Sequence, residues 1–345
     1  MLIHWIWFAT RTGMGDKTKA VLLSHFEDPE AVYFAAEPEF ERFEELSAGA
    51  VESLTDKSLL DAEEILAQCQ QKKIHILTFQ DAAYPARLKN IPDPPVVLYY
   101  KGNLPDFDRL PAIGVVGTRK ASAYGLTAAK RLGYQIAACG GLVVSGMAFG
   151  IDGMAMSGAL TSGQPVVGVL GCGVDIVYPL SNKGLFADTE QYGCILSEFA
   201  PGTPPNSWNF PIRNRIISAL SEAVVVVEGD EESGALITAR YALLQGKSLF
   251  AVPGDVDCVR SVGCNLLLRA GANIALSAED VLSHFRFLYR DTAMLRAPDD
   301  VMQYTGVTPE KLRAHGLHVA SDGEGLAKKD RSRKETDKKR ERVEK

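Results

Sequence analysis

Six short apolar runs, separated by stretches of helical sequence, divide residues 111–288, and that alternation restricts the chain to few architectures. The runs are Ile113–Val116, Leu142–Val144, Val166–Leu170, Cys194–Leu196, Val224–Val227 and Leu249–Val252. Between them lie Tyr124–Ala138, Asp152–Leu160, Lys183–Tyr192, Arg215–Leu220 and Gly234–Leu244. Runs of Val, Ile and Leu with no in-out alternation suit strands buried on both faces, and a helix between successive strands makes each crossover parallel. The fold class predicted is α/β: a doubly wound, mostly parallel sheet covered by helices. Ligands of such sheets bind beyond the carboxyl ends of the strands. The loops leaving those ends are therefore the ones to read for function.

The flanking regions differ in character. Residues 1–75 read as a small helical domain. Met1 to Thr10 is apolar, carries Trp5 and Trp7 and lacks a basic leader, so it is expected to be a buried helix rather than a signal peptide. Gly13-Met14-Gly15 before a helix suits a helix-hairpin-helix turn, whose amides can face a phosphate. The adjacent Asp16 opposes that use. Residues 76–110 hold Pro85, Pro92, Pro94, Pro95 and Pro105 around Val96–Tyr100, and read as a proline-rich linker with one strand. Residues 289–345 are polar. Their basic end, Lys328–Lys345, has no apolar periodicity and is expected to be disordered.

Charge is unevenly spread. The net of −6 disfavours a general field for nucleic acid. Residues 328–345 hold ten Lys/Arg against five Asp/Glu, while residues 1–110 hold eleven against eighteen. A nucleic-acid site must then be a local basic patch in the middle of the chain. No apolar run approaches the ~20 residues that cross a bilayer, so no membrane insertion is expected. None of the six cysteines forms a C-x-x-C pair. They read as small core residues of a cytoplasmic protein, with no metal and no cofactor.

Five loops carry candidate chemistry. The first strand ends in Gly117-Thr118-Arg119-Lys120-Ala121-Ser122. There a glycine allows close approach, amides and hydroxyls can hold a phosphate, and Arg119 offers a fork-shaped cation. The second strand ends in Ser145-Gly146-Met147-Ala148-Phe149-Gly150, with Asp152 near the following helix start. Near residues 209–215, Arg213, Asn214 and Arg215 surround another helix start. The two arginines point to different sides: at least one faces the crevice and favours a polyanion, and the other suits a structural ion pair. The segment from Tyr178 to Phe186 supplies Lys183, and an exposed Phe186 would stack on a base. After the fifth run, Glu228 is the group of interest and Asp230–Glu232 a solvated rim. Gly246-Lys247-Ser248 is not a phosphate-binding loop, because position 241 is Tyr and the order runs helix to strand. No histidine lies in these loops, and no nucleophile has a base beside it.

Taken in order, Gly117-Thr118-Arg119-x-x-Ser122, Ser145-Gly146-Met147-Ala148-x-Gly150-Ile151-Asp152, Tyr178-Pro179, Ser197-Glu198, Asn209-Phe210-Pro211-x-Arg213-Asn214-Arg215, Ser233-Gly234-x-x-x-Thr238-Ala239 and Val252-Pro253-Gly254 resemble the DNA-processing protein A (DprA, or Smf) family over about 105–285. The resemblance implies an extended Rossmann-like fold, a homodimer, sequence-independent binding of single-stranded DNA, and loading of the RecA recombinase onto DNA taken up in natural transformation. No enzymatic activity is implied. By motif, Gly117, Thr118, Arg119 and Ser122 would hold DNA phosphates, with Ser145, Gly146, Lys183, Phe186, Arg213, Asn214 and Arg215 along the same groove. Two departures are visible: Phe149 and Met156 stand where the family usually has Arg and His. The competing reading is a Rossmann-like nucleoside monophosphate phosphoribohydrolase, with Glu228 or Glu198 as its carboxylate. A third reading, compatible with the first, is a protein-interaction scaffold acting through the acidic front.

Overall fold

A computed structural model describes residues 1–289. The front of the chain forms α1 (Leu2–Thr10), α2 (Asp16–His25), α3 (Pro29–Phe34), α4 (Glu37–Phe40), α5 (Ala48–Thr55) and α6 (Leu60–Gln71). There follow β1 (His75–Thr78), α7 (Ala86–Lys89) and β2 (Val97–Gly102). The alternating region then runs β3 (Ala112–Val116), α8 (Ala123–Ala138), β4 (Leu142–Ser145), α9 (Ile151–Leu160), β5 (Val166–Val169), α10 (Lys183–Tyr192), β6 (Cys194–Ser197), α11 (Asn209–Leu220), β7 (Ala223–Val226), α12 (Gly234–Leu244), β8 (Ser248–Ala251), α13 (Val259–Arg269), β9 (Asn273–Ile274) and α14 (Ala278–Leu282).

All nine strands share one sheet in the order β1-β2-β6-β5-β4-β3-β7-β8-β9. The strands from β3 to β9 pair parallel, and β1 and β2 join antiparallel at one edge. The mostly parallel, helix-covered sheet expected from the apolar runs is thus present. Successive β3 residues face opposite layers, as a strand's two-residue period requires. Ile113 and Val115 pack under α8 and α9, in the cluster that continues into the front helices. Ala112 and Val116 pack with α11 and α12. Both layers are dry, and β3, β4, β5, β6 and β7 are buried throughout.

Three readings of the sequence change. The proline-rich segment is not a linker with one strand but supplies two, with β1 pairing onto β2 and β2 onto β6. Its prolines at 92, 94 and 95 fall in the connection just before Val97, where missing amides cost the ladder nothing. Helix α11 starts at Asn209 rather than near Arg215. Pro211 is its third residue, a position whose amide has no intrahelical partner, so the proline marks a beginning and not a break. Finally, α13 and β9 were not anticipated; β9 is two exposed residues with no apolar signature.

Helix α1 buries Trp5, Ile6, Trp7 and Phe8, as its composition suggested. At the Gly13-Met14-Gly15 turn, a side chain on Gly13 would meet the backbone of Ala50 at 2.7 Å, and Ser47 donates to the Gly13 carbonyl, so α5 packs against the turn. All six cysteines are free, and all but Cys258 are buried. Among the described residues there is no His/Cys/Asp/Glu grouping fit for a metal ion and no helix long and apolar enough to cross a membrane. The polar region 290–345, with its basic end, lies outside the described residues.

Candidate nucleic-acid interface

The chain leaves β3 toward β4 on one side and returns to β7 on the other, so β3 marks the point where strand order reverses. Adjacent loops diverge there and open a crevice at the carboxyl ends of the strands. It is a groove of about 600 Å³, lined by Gly117, Thr118, Arg119, Lys120, Ala148, Asp152, Phe210, Arg213 and Asn214, with Asp230, Glu232 and Ser233 on the opposite side. Beside it lies a smaller recess of about 110 Å³ whose walls include Phe149, Tyr178, Pro179 and Phe210, with Arg119 between the two.

A buried carboxylate organises the floor. Asp152, in the first turn of α9, accepts the Gly146 amide at 3.1 Å and the amides of Gly117 and Ala148. Burial raises its pKa, while the nearby Arg213 guanidinium and these amides favour the charged form. Arg213 is itself buried and donates to the carbonyls of Gly146 and Val169, at the ends of β4 and β5. Desolvation lowers its pKa to about 10, still charged at neutral pH. Gly146 is what admits it: a Cβ there would meet the guanidinium at 2.5–2.7 Å. Gly150 has φ +87°, and Ile151 donates to the Thr118 carbonyl, so the first two loops are locked together.

The first loop is tied from the other side by Glu228. Its carboxylate accepts the Ser122 amide at 2.7 Å and the Ser122 hydroxyl at 2.6 Å, and its carbonyl accepts the Thr118 amide at 2.7 Å. The Ser122 oxygen also caps α8 by accepting from Gly125.

Placed on this frame, the residues singled out from sequence separate. The structure brings Gly117, Thr118, Arg119, Gly146, Arg213 and Asn214 to the groove and its recess. Gly117 and Gly146, however, direct their amides at Asp152, not at open solvent. Arg119 is exposed, and its guanidinium lies 5.0 Å from the Phe210 ring centroid. Asn214 spends its side-chain amide on the Gly234 carbonyl. Ser122 is turned away, committed to Glu228. Ser145 is fully buried and donates to the Val115 carbonyl. Phe186 is in the core, 6% exposed, and has no face free to stack. Lys183 stands exposed at the start of α10 and lines neither the groove nor the recess; its neighbour Asn182 donates to the Met147 and Ala148 carbonyls. Arg215 is not in the groove. It is 2% exposed and bound by Asp16, Asp93 and Glu198. Two residues along a helix turn about 200°, which sends Arg213 and Arg215 to opposite sides.

What sequence reasoning missed is the aromatic rim. Phe149 is 59% exposed and Tyr178 38%, and both line the recess. Tyr178 packs on Phe210 with centroids 5.5 Å apart. The signal was in the loops themselves: each of these rings sits at a strand-to-helix junction rather than on an apolar face.

The family model for DNA recombination-mediator protein A matches residues 75–286, the whole nine-stranded sheet. The chain belongs to that family. It is 38% identical to the DNA processing protein DprA of Bacillus subtilis over 238 residues, spanning 69% of this chain and 80% of that protein. It is 36% identical to protein Smf of Synechocystis over 284 residues, 81% of this chain and 71% of the relative. Among solved structures, DprA from Streptococcus pneumoniae superposes with a TM-score of 0.73 at 31% identity, covering 82% of this chain and 98% of that one. DNA processing protein A from Helicobacter pylori, solved to describe its single-stranded DNA binding mode, superposes with a TM-score of 0.56 at 29% identity, covering 62% and 97%. Family membership fixes the Rossmann-like class of the sheet, and the front helices α1–α6 lie outside the family model.

Proposed function

We propose that this protein binds single-stranded DNA, without sequence preference, along the groove at the carboxyl ends of β3 and β4, and delivers it to a RecA recombinase during DNA uptake. The observation that carries the reading is the pairing of exposed cations with exposed rings on one rim. Arg119 and Lys120 line the groove, and Phe149, Tyr178 and Phe210 wall the adjoining recess. A single strand offers phosphates to the first and unpaired base faces to the second, and stacking tolerates any sequence because every base has a π-face. The same reading includes a homodimer, a cytoplasmic location and no catalytic chemistry.

The phosphoribohydrolase alternative is weakened by where its candidate carboxylates stand. Glu228 is engaged by Ser122 and Glu198 by Arg215, and neither lines the groove. Fluorescence anisotropy with oligo(dT) and with a duplex of equal length tests the binding. Tight, salt-sensitive binding of the single strand alone is expected; equal affinity for the duplex, or none for either, would refute it. The recombinase step is read from RecA ATPase on oligonucleotides precoated with single-strand-binding protein, which this protein should accelerate.

A further inference from the structure

Arg215 holds three carboxylates drawn from three separate parts of the chain. Its Nη2 lies 2.5 Å from Asp16 on α2 and 2.6 Å from Glu198 after β6, and its Nε lies 3.2 Å from Asp93 in the connection before β2. The side chains of Arg215 and Glu198 are 2% and 9% exposed, whereas those of Asp16 and Asp93 are 24% and 36%, so solvent screens Glu198 least of the three acids. The remaining groups facing the cluster do not balance it. Lys19 is a second cation beside it, directed to the Ala9 carbonyl at 2.6 Å; burial pushes its pKa down, opposed by Asp16 and Glu198 and reinforced by Arg11. Tyr84 gives its hydroxyl to the Pro95 carbonyl. Three acids against Arg215 and Lys19 leave one negative charge over. Carboxyl groups forced together in that way share a proton rather than all ionise.

We propose that Glu198 is a positioning residue: it keeps one proton within the carboxylate cluster, and through Arg215 that proton fastens the helical front to α11 and fixes the seat of Arg213 in the groove. The connection is short, because Arg213 and Arg215 are two residues apart on the same helix. Burial, offset by Arg215 and reinforced by Asp16, pushes the Glu198 carboxyl up to about 7. The sign follows from linkage. The folded protein keeps this proton over a range where the unfolded chain has released it. The fastening is therefore complete at acid pH, weakens as pH rises past the ordinary glutamate range, and is lost through about pH 7. Asp93, also raised by burial, shifts in the same direction.

The test compares wild type with Glu198→Gln, which mimics the protonated carboxyl, and with Asp16→Asn as a second variant. Hydrogen-exchange protection of α2 and α11, corrected for intrinsic rates, is measured at pH 6 and pH 8 without DNA. Oligo(dT) affinity is measured at the same two pH values and constant salt. Wild type is expected to lose protection in both helices, and affinity by about fivefold, a normal size for coupling between sites. Both variants are expected to show neither change. A wild-type exchange profile that does not respond to pH, or a variant that keeps the wild-type response, overturns the proposal. The affinity arm rests on the DNA-binding reading, whereas the exchange arm does not. Absent oligo(dT) binding with an intact exchange response would refute that reading and leave this one standing.

Discussion

Arg119→Ala gives the sharpest test of the groove, because its effect on salt dependence is separable from its effect on affinity. Arg119 and Lys120 are the exposed cations of the lining. Each phosphate they neutralise contributes a slope of about −0.7 in log affinity against log salt for a single strand. Two contacts give about −1.4, so raising salt from about 50 to about 200 mM weakens wild-type binding roughly sevenfold per groove. Without Arg119 the slope falls to about −0.7 and the same change costs only about threefold. At fixed low salt the variant also loses a charged hydrogen bond worth about 1.5–3 kcal/mol, or roughly ten- to hundredfold in affinity. Arg119 is exposed and makes no internal ion pair among the described residues, so the fold should be unaffected and the melting temperature unchanged. Titrations of labelled oligo(dT) at several salt concentrations read both quantities. A variant that binds weakly with the wild-type slope would mean that Arg119 meets no phosphate, and the proposed path of the strand would be wrong.

Other substitutions probe the frame. Gly117→Ala would put a Cβ 2.5 Å from the Ile151 side chain and 2.8 Å from the Glu228 carbonyl. It should destabilise by about 1–3 kcal/mol in thermal melts, as overpacking does, and weaken oligo(dT) binding. Gly184→Ala, which meets nothing, should instead stabilise by about 0.5 kcal/mol as a glycine replaced within a helix. Arg215→Met removes the cation that three carboxylates share and should cost about 3–5 kcal/mol, seen as a melting temperature lowered by about 10 °C. Phe149→Arg, adding a cation to the recess wall, should steepen the salt slope toward about −2 and tighten binding. Glu228→Gln should lower stability by about 1–2 kcal/mol through the weakened Ser122 bonds while leaving oligo(dT) affinity within twofold; a large loss of binding would place Glu228 in contact with the strand.

The architecture was legible where the rule is local. Unbroken valine and isoleucine runs mark buried parallel strands, and β3 to β8 fall on them. Pro211 misled the reading of α11 because the same residue that ends a helix interior is harmless in a first turn. The cationic loop 117–120 could be read because a strand end followed by glycine and arginine already implies an exposed turn. That one of Arg213 and Arg215 would enter an internal ion pair was also legible, but which one, and the burial of Phe186, were not. Arg215 is bound by an aspartate 199 positions away, and nothing near either residue in the sequence records the meeting. Phe186 is buried because of how α10 is turned against β5 and β6, a tertiary fact that its loop-like neighbourhood conceals.

Asp152 has one more implication. In many sheets of this kind the amides after the first two strands receive the ligand's phosphate; here the protein supplies its own anion to them. These amides of the groove are thereby already engaged. A lone mononucleotide would find little to displace, so AMP should compete poorly even at millimolar levels. If the proposed groove holds a strand, its grip accumulates along the polymer, one ring and one phosphate at a time, and oligo(dT) affinity should rise with strand length.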